Sequence, residues 1–360
     1  MKYPKEFISL VNSLANETDQ DLQYIGQGNP WAKMLIVEKD NHIDTSTTRG
    51  EGCYMMEVLN NVKQWQKNIE ENVCSDDIPS WIESPISIEA YNPLYPYKGL
   101  KNFLAKRDSE GSSINGGVSS SWVSYQKLRS AISPASESDV IDFHQTAFLT
   151  SLCSVKGPNH GYPDEVRKSV SVRCKQLFSL PYFRSFDVIL MSCGRIVKDC
   201  HVNVEEVFDQ KFIEEIKYGN EWIRYYEKDG KLLMLTGTIQ RCSKELIGVI
   251  GKKAREYLMR QLMPYFVHYD GTEDSINNDS LAWYEYLWSC LRLIGKDSQY
   301  DFEVNDMINN YGFEEDWLDS FELPRTLIGL FFNRYCHWLN YADKDGFKSW
   351  FEKYRKGITE

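Results

Sequence analysis

Apolar positions along this chain follow two patterns. Up to about residue 263, short unbroken apolar runs alternate with stretches whose apolar residues recur at helical spacing; beyond it only the helical spacing persists. The first run, Met34–Val37, lies in the segment YIGQGNPWAKMLIVEKD (Tyr24–Asp40), after a Gly28-Asn29-Pro30 turn, and stops on Glu38, Lys39 and Asp40. The second lies within 139–152 (DVIDFHQTAFLTSL), centred on Thr146–Thr150. The third, Phe186–Met191, ends on Ser192-Cys193-Gly194, and the fourth, Lys231–Leu235, runs into Thr236-Gly237-Thr238. Short apolar runs closed by turn residues are the pattern of strands buried on both faces. Between them, helical spacing predicts helices over 5–22, 50–66, from Trp122, over 165–179 and over 243–263, with Gly194 supplying the tight strand-to-helix turn. Four strands alternating with helices predict an α/β domain: a mostly parallel four-stranded sheet covered on both faces, α/β/α in three layers.

The tail reads differently. Trp283, Tyr286, Leu287, Cys290 and Leu291 repeat at helical spacing, as do Leu327, Leu330, Phe331, Arg334, Tyr335 and Trp338, followed by Phe347, Phe351 and Tyr354. The chain of 360 residues is therefore expected to form two domains, an α/β domain over 1–264 and a small all-α domain over 265–360. Charge divides the same way. From Gln261 onward there are 18 acidic and 9 basic residues, which leaves 34 and 32 of the totals of 52 and 41 before it. The acidity sits in the tail and disfavours phosphate there, while the nearly neutral first part can still meet nucleic acid. The Gly- and Ser-rich stretch Ser109–Ser121 reads as a flexible loop.

No apolar run approaches the ~18 residues of a membrane span, and the N-terminal stretch carries mixed charge without a signal-peptide core, so a cytoplasmic protein without membrane contact is expected. The nine cysteines include no C-x-x-C pair and read as reduced, mostly buried side chains. Cys193, Cys200 and His201 lie close together at a spacing that fits no common metal pattern, so neither metal nor other cofactor is expected.

In open α/β sheets chemistry collects beyond the carboxyl ends of the strands. That makes Asp40 the leading candidate, although polar residues end most strands. His144 reads as a catalytic group or, more simply, a core histidine, and His160 as a functional loop residue or a surface turn. Tyr91–Tyr97 (YNPLYPY) is either an aromatic wall over a site or packing for a Pro-rich connection. No P-loop, dinucleotide fingerprint, G-x-S-x-G elbow or H-E-x-x-H is present, and Gly26-x-Gly28 precedes its strand where a dinucleotide turn would follow it.

The order of a strand with an acidic turn, a Gly/Ser-rich loop, two further strands, and a last strand followed by T-x-Q-x-x-S resembles the uracil-DNA glycosylase superfamily over residues 20–263. The resemblance implies a Gly-x-Asp-type motif on Glu38-Lys39-Asp40, with Asp40 as the water-activating carboxylate and Glu38 in the base-binding wall. It implies a base- and DNA-contacting segment from Thr238 through Gln240, Arg241 and Ser243. The chain departs from the family pattern at several points. The motif glycine is Glu38, Asn41-His42 follows the motif, the loop after the last strand has no histidine, and LTSLCS (149–154) offers no Asn to read a pyrimidine. A donor to the departing base would have to be His42 or Arg241. The segment Pro324–Trp338 resembles one in the helical C-terminal region of uncharacterised bacterial proteins with this glycosylase-like domain; its Asn333, Arg334, Tyr335, His337 and Trp338 suit base stacking or phosphate contact, or else a small aromatic core. Two functions follow: an N-glycosidic hydrolase acting on a base in DNA or on a nucleotide, or a binding or regulatory protein that keeps the fold without the hydrolysis and engages a protein partner through its helical tail.

Overall fold

The computed structural model describes residues 3–40, 43, 48–75, 77–81, 91–106, 115–132, 139–154, 162–262, 304–320, 328–329, 332 and 342–359. Backbone packing divides the chain into two compact units, Met1–Leu258 and Met259–Glu360.

The first unit is built on one mixed sheet of seven strands: β1 (Gln27–Gly28), β2 (Met34–Glu38), β3 (Phe148–Ser151), β4 (Val188–Ser192), β5 (Phe212–Tyr218), β6 (Glu221–Lys228) and β7 (Lys231–Thr236), in the order β1-β3-β2-β4-β7-β6-β5. The four apolar runs become β2, β3, β4 and β7, and these four are mutually parallel neighbours. The expected four-stranded sheet is thus a correction to make: β1 adds an antiparallel strand to one edge, and the β5–β6 hairpin adds two to the other. β5 and β6 mix charged with apolar residues, since one or both of their faces meet solvent, so they carry no apolar run to announce them.

Helices cover both faces. Phe7, Leu10, Val11 and Leu14 of α1 (Lys5–Leu14) pack in one core with Leu35 and Val37 of β2 and Ile189 and Met191 of β4. The same core takes in Val62 and Trp65 of α3 (Asn61–Glu70), which follows α2 (Thr48–Tyr54) through a π turn at Met55–Leu59, and Val166 and Val170 of α5 (Asp164–Val172). Side chains alternate along a strand, so Ile36 and Glu38 face the other way, toward α4 (Ser120–Ile132). There α4 crosses α9 (Lys244–Leu262) closely: Arg255 of α9 donates to the carbonyls of Ile132 and Ala131, and Gly251 sits against Ala131. The short helices α6 (Pro181–Arg184), α7 (Ile196–Asp199) and α8 (Val204–Phe208) complete the connections. The expected helix over 5–22 stops at Leu14, with a separate turn at Gln20–Leu22, and Ser120 and Ser121, read as loop, form the first turn of α4.

Gly26 and Gly28 owe their place to close packing. Both have positive φ, and a Cβ on either would lie 2.5 Å from a carbonyl oxygen, of Leu149 and Ala147 respectively.

In the second unit the described residues form helices and no strand. Phe313, Phe332, Phe347 and Phe351 build a small aromatic core, with Phe313 and Phe332 ring centres 4.8 Å apart and Phe332 and Phe347 5.2 Å apart. Lys348 lies 4.9 Å from the Trp317 ring centre and pairs with Glu314, which holds the Glu314 carboxyl down at about 2. The helical run at Trp283–Leu291 and residues 333–340 lie outside the described residues, as does His160.

Candidate functional site

The parallel strands are in register at their carboxyl ends, and this builds the site. Ser151 of β3 pairs with Glu38 of β2, Glu38 with Ser192 of β4, and Ser192 with Thr236 of β7. Register neighbours in a parallel sheet point to the same face, so four polar side chains form one row across the end of an apolar sheet. All four are buried, and a buried polar group costs free energy until it is hydrogen-bonded. Ser151 donates to the Cys153 carbonyl (2.8 Å), Thr236 to the Trp222 carbonyl (2.8 Å), and Ser192 accepts the Ile239 N–H (2.7 Å). Glu38 is the ionisable member of the row. Tyr125 of α4 reaches it from above the sheet, and Glu38 and Ser192 both lie close enough to act on its hydroxyl. Burial, with the Glu38 charge beside it, pushes the Tyr125 phenol well above its ordinary range, so it stays a neutral donor.

Asp40 lies two residues beyond the row. It is 1% exposed and ion-paired with Lys39 at 3.2 Å, while the Lys39 ammonium stands 5.6 Å from the Tyr162 ring centre. The carboxylate is thus held close to a cation and away from water. His42 lies outside the described residues.

The segment after β7 is divided. Thr238 packs near Gly194, at the strand-to-helix turn after β4. Gln240 and Arg241 are exposed. Ser243 is occupied structurally: its N–H donates to Glu221 of β6 (2.7 Å), its hydroxyl donates to the same carboxylate, and it accepts the Leu246 N–H (3.2 Å) at the start of α9. The structure therefore brings Glu38, Tyr125 and Ser192 together, and leaves Gln240 and Arg241 at the surface.

Three further groups escaped the sequence reading. Arg173, fully buried in a π turn after α5, donates to the carbonyls of Ser151 (3.0 Å), Asp21 (2.7 Å) and Tyr24 (2.7 Å) and to the Thr150 hydroxyl (3.1 Å) on the face of β3 opposite the row. Burial lowers its pKa to about 10, which still leaves it charged at neutral pH. Glu57, half-buried in the π turn at Met55–Leu59, accepts a hydrogen bond from Tyr97, and burial raises its carboxyl to about 7. Tyr125 is the third. Ser192 and Glu38 stand at the ends of apolar runs and could be aligned by counting, but a helix residue such as Tyr125 meets them only through tertiary packing.

His144 is fully buried against Phe143 (ring centres 3.9 Å apart) and Trp122 (4.5 Å), with neither ring nitrogen hydrogen-bonded. Burial lowers its pKa to about 3, so it is a neutral core group. The Tyr91–Tyr97 segment packs inward, Tyr91 donating to Gln27 (3.0 Å) and Tyr95 to the Ile141 carbonyl (2.9 Å). Cys193 is likewise buried, its thiol 3.2 Å from the Val37 carbonyl and pushed well above the usual range by burial. Among the described residues no group of three or more His, Cys, Asp or Glu side chains is placed to hold a metal ion, and no helix is long and apolar enough to cross a membrane.

Comparison with protein-family models, curated proteins and solved structures returns no match to this chain.

Proposed function

We propose that this chain is a binding or regulatory protein on a uracil-DNA-glycosylase-like scaffold, taking a nucleobase or nucleotide, free or in DNA, beyond the carboxyl ends of β2, β4 and β7 without hydrolysing it. The observation that carries this reading is the state of Asp40. A carboxylate that positions water and answers an oxocarbenium charge has to be reachable and free to act on the sugar. Asp40 is 1% exposed and its charge is already answered by Lys39. The row beside it supports binding: Glu38 is a carboxylate of the kind that accepts from an amino group on a base, and since it is itself 7% exposed, a base edge would have to enter between the strand ends and Tyr125 to meet it.

The test is an abasic-site assay on uracil- and hypoxanthine-containing single and double strands, run beside fluorescence anisotropy on labelled free nucleotides and on strands carrying cytosine and adenine, the bases whose amino groups a carboxylate can accept from. The expected result is no abasic product, together with binding that Glu38→Gln weakens by about tenfold, the worth of one charged hydrogen bond. Abasic product that disappears in Asp40→Ala would replace this reading with a hydrolase. No binding to any strand or to free nucleotides would remove the nucleobase from it.

A further inference from the structure

The outer strand of the sheet carries its own pairing code. β5 is bonded to β6 on one side, and among the described residues no strand pairs with its other side. It is seven residues long and contains no proline, and it begins on Phe212 (44% exposed) and Ile213 (53%). A long open edge is a template for another strand unless it is blunted; here a bulge between Phe212 and Glu214 confines the regular edge to Glu214–Tyr218, and its charges restrict which partner it accepts.

Which backbone groups face outward follows from the turns. β5 and β6 are joined by the two-residue turn Gly219-Asn220, closing on the pair Tyr218 and Glu221. The pair flanking a two-residue hairpin turn is the hydrogen-bonded one, and the pattern alternates from there. Tyr218 and Ile216 therefore turn their N–H and C=O groups toward β6, and Lys217 and Glu215 turn theirs outward. The neighbouring hairpin agrees: β6 and β7 close on Lys228 and Lys231 around Asp229-Gly230. The same alternation aims Arg224 and Trp222, the β6 partners of Glu215 and Lys217, toward β7 and away from β5.

An antiparallel partner must match outward residues with outward residues. If the partner is a second copy of β5, a two-fold axis through Glu215 sets Glu215 against itself, and one through Glu214 sets Glu214 against itself. Both place like charges directly opposite, which is destabilising. An axis through Ile216 sets Glu215 opposite Lys217 of the second copy, and Lys217 opposite its Glu215. It also brings the two Ile216 side chains together and places Glu214 opposite Tyr218. Lys217 is available for this, since among the described residues it has no ion-pair partner, while Glu215 already stands 2.7 Å from Arg224 on the same strand pair.

We propose that β5 is a self-complementary edge through which two copies of this chain pair antiparallel about a two-fold axis at Ile216, joining their sheets. This rests on the sheet edge alone and is independent of what the strand-end site binds.

The test is sedimentation velocity on the full chain across roughly a hundredfold range of micromolar concentration, for wild type, Lys217→Glu and the exchanged pair Glu215→Lys/Lys217→Glu. Wild type is expected to dimerise. Lys217→Glu converts both Glu–Lys contacts into Glu–Glu and is expected to weaken association by about tenfold or more, with an unchanged far-UV circular dichroism spectrum. The exchanged pair restores complementarity and association. Hydrogen exchange on wild type gives a readout that needs no variant: the Glu215 and Lys217 amides should be protected at high concentration and exchange freely on dilution. A wild type that stays monomeric over the range, a Lys217→Glu chain that associates as tightly as wild type, or exchange at Glu215 and Lys217 that ignores concentration would each overturn the proposal.

Discussion

Two titratable side chains, one half-buried and one buried, pull the stability of the first unit in opposite directions with pH. Burial raises the Glu57 carboxyl from 4.5 to about 7, so between those values the folded protein keeps a proton that the unfolded chain has released. Its contribution to stability is complete below about pH 4.5 and is lost as pH rises through 7. His144 has the reverse sign. Its folded pKa falls from 6.5 to about 3, so its contribution is complete above pH 6.5 and is lost as pH falls toward 3, where the unfolded chain binds the proton first. The two slopes offset each other between about pH 4.5 and 6.5, and single variants separate them. Glu57→Gln should leave the His144 slope alone, so that thermal stability rises between pH 5 and 6.5 and no longer falls as pH passes 7. His144→Phe should raise the midpoint most at pH 5 and change it least at pH 7.5, because it removes an imidazole whose nitrogens have no hydrogen bond and keeps the stack on Phe143. Melting curves at a series of pH values check both; parallel shifts at every pH would show that neither group titrates as described. Nothing in the local sequence distinguishes these two residues. Glu57 sits in a helical pattern that gives no hint of a π turn, and DFHQT reads equally as rim or core.

At the scale of elements, the contact that fixes the strand-end site is the crossing of α4 and α9. Gly251 of α9 lies where an added Cβ would stand 2.5 Å from the Ala131 Cβ and 3.0 Å from its backbone. Alanine is the better helix former by roughly 1 kcal/mol, so propensity alone would make Gly251→Ala stabilising. Overpacking at a close helix crossing costs about 1–3 kcal/mol, and here the obstacle is another helix backbone, so the clash wins. Gly251→Ala is expected to lower the unfolding free energy by up to about 2 kcal/mol. It should also weaken the binding proposed at the row, because α4 carries Tyr125 to Glu38 and Ser192. Chemical denaturation and anisotropy on the same variant read the two effects, and an increase in stability would mean that the helices separate freely. Legibility follows burial at this scale. β2, β3, β4 and β7 are buried on both faces, so their sequences are apolar runs that can be seen without a structure. β5 and β6 had a different signal, the turn dipeptides Gly219-Asn220 and Asp229-Gly230, which a search for apolar runs passes over. The candidate site was legible to the extent that it lies at the end of an apolar run: Glu38 and Asp40 could be found, whereas the burial of Asp40 against Lys39 could not.

At the scale of the molecule, β2 is the first long strand in the chain and lies inside the sheet, between β3 and β4. Its partners, Phe148–Ser151 and Val188–Ser192, come more than a hundred residues later. Arg173 joins the same distant segments, from Asp21 and Tyr24 to Ser151. A chain ending at Ser185 therefore lacks one of the two strands that cover β2, while one ending at Leu262 has the whole sheet and α9. The shorter is expected to show no cooperative thermal transition by circular dichroism and the longer to show one; a cooperative transition in the shorter chain would mean that β2 and β3 suffice. The same ordering has a consequence during synthesis. At 5–20 residues per second, the interval between making Met34–Val37 and making Val188–Ser192 is on the order of ten seconds. Throughout it an apolar strand built to be enclosed on both sides is outside the ribosome with one or both neighbours still unmade. Until Ser192 is made, that strand is an exposed apolar segment of the kind that favours aggregation, so a slower or stalled ribosome between the two segments is expected to lower the yield of folded chain.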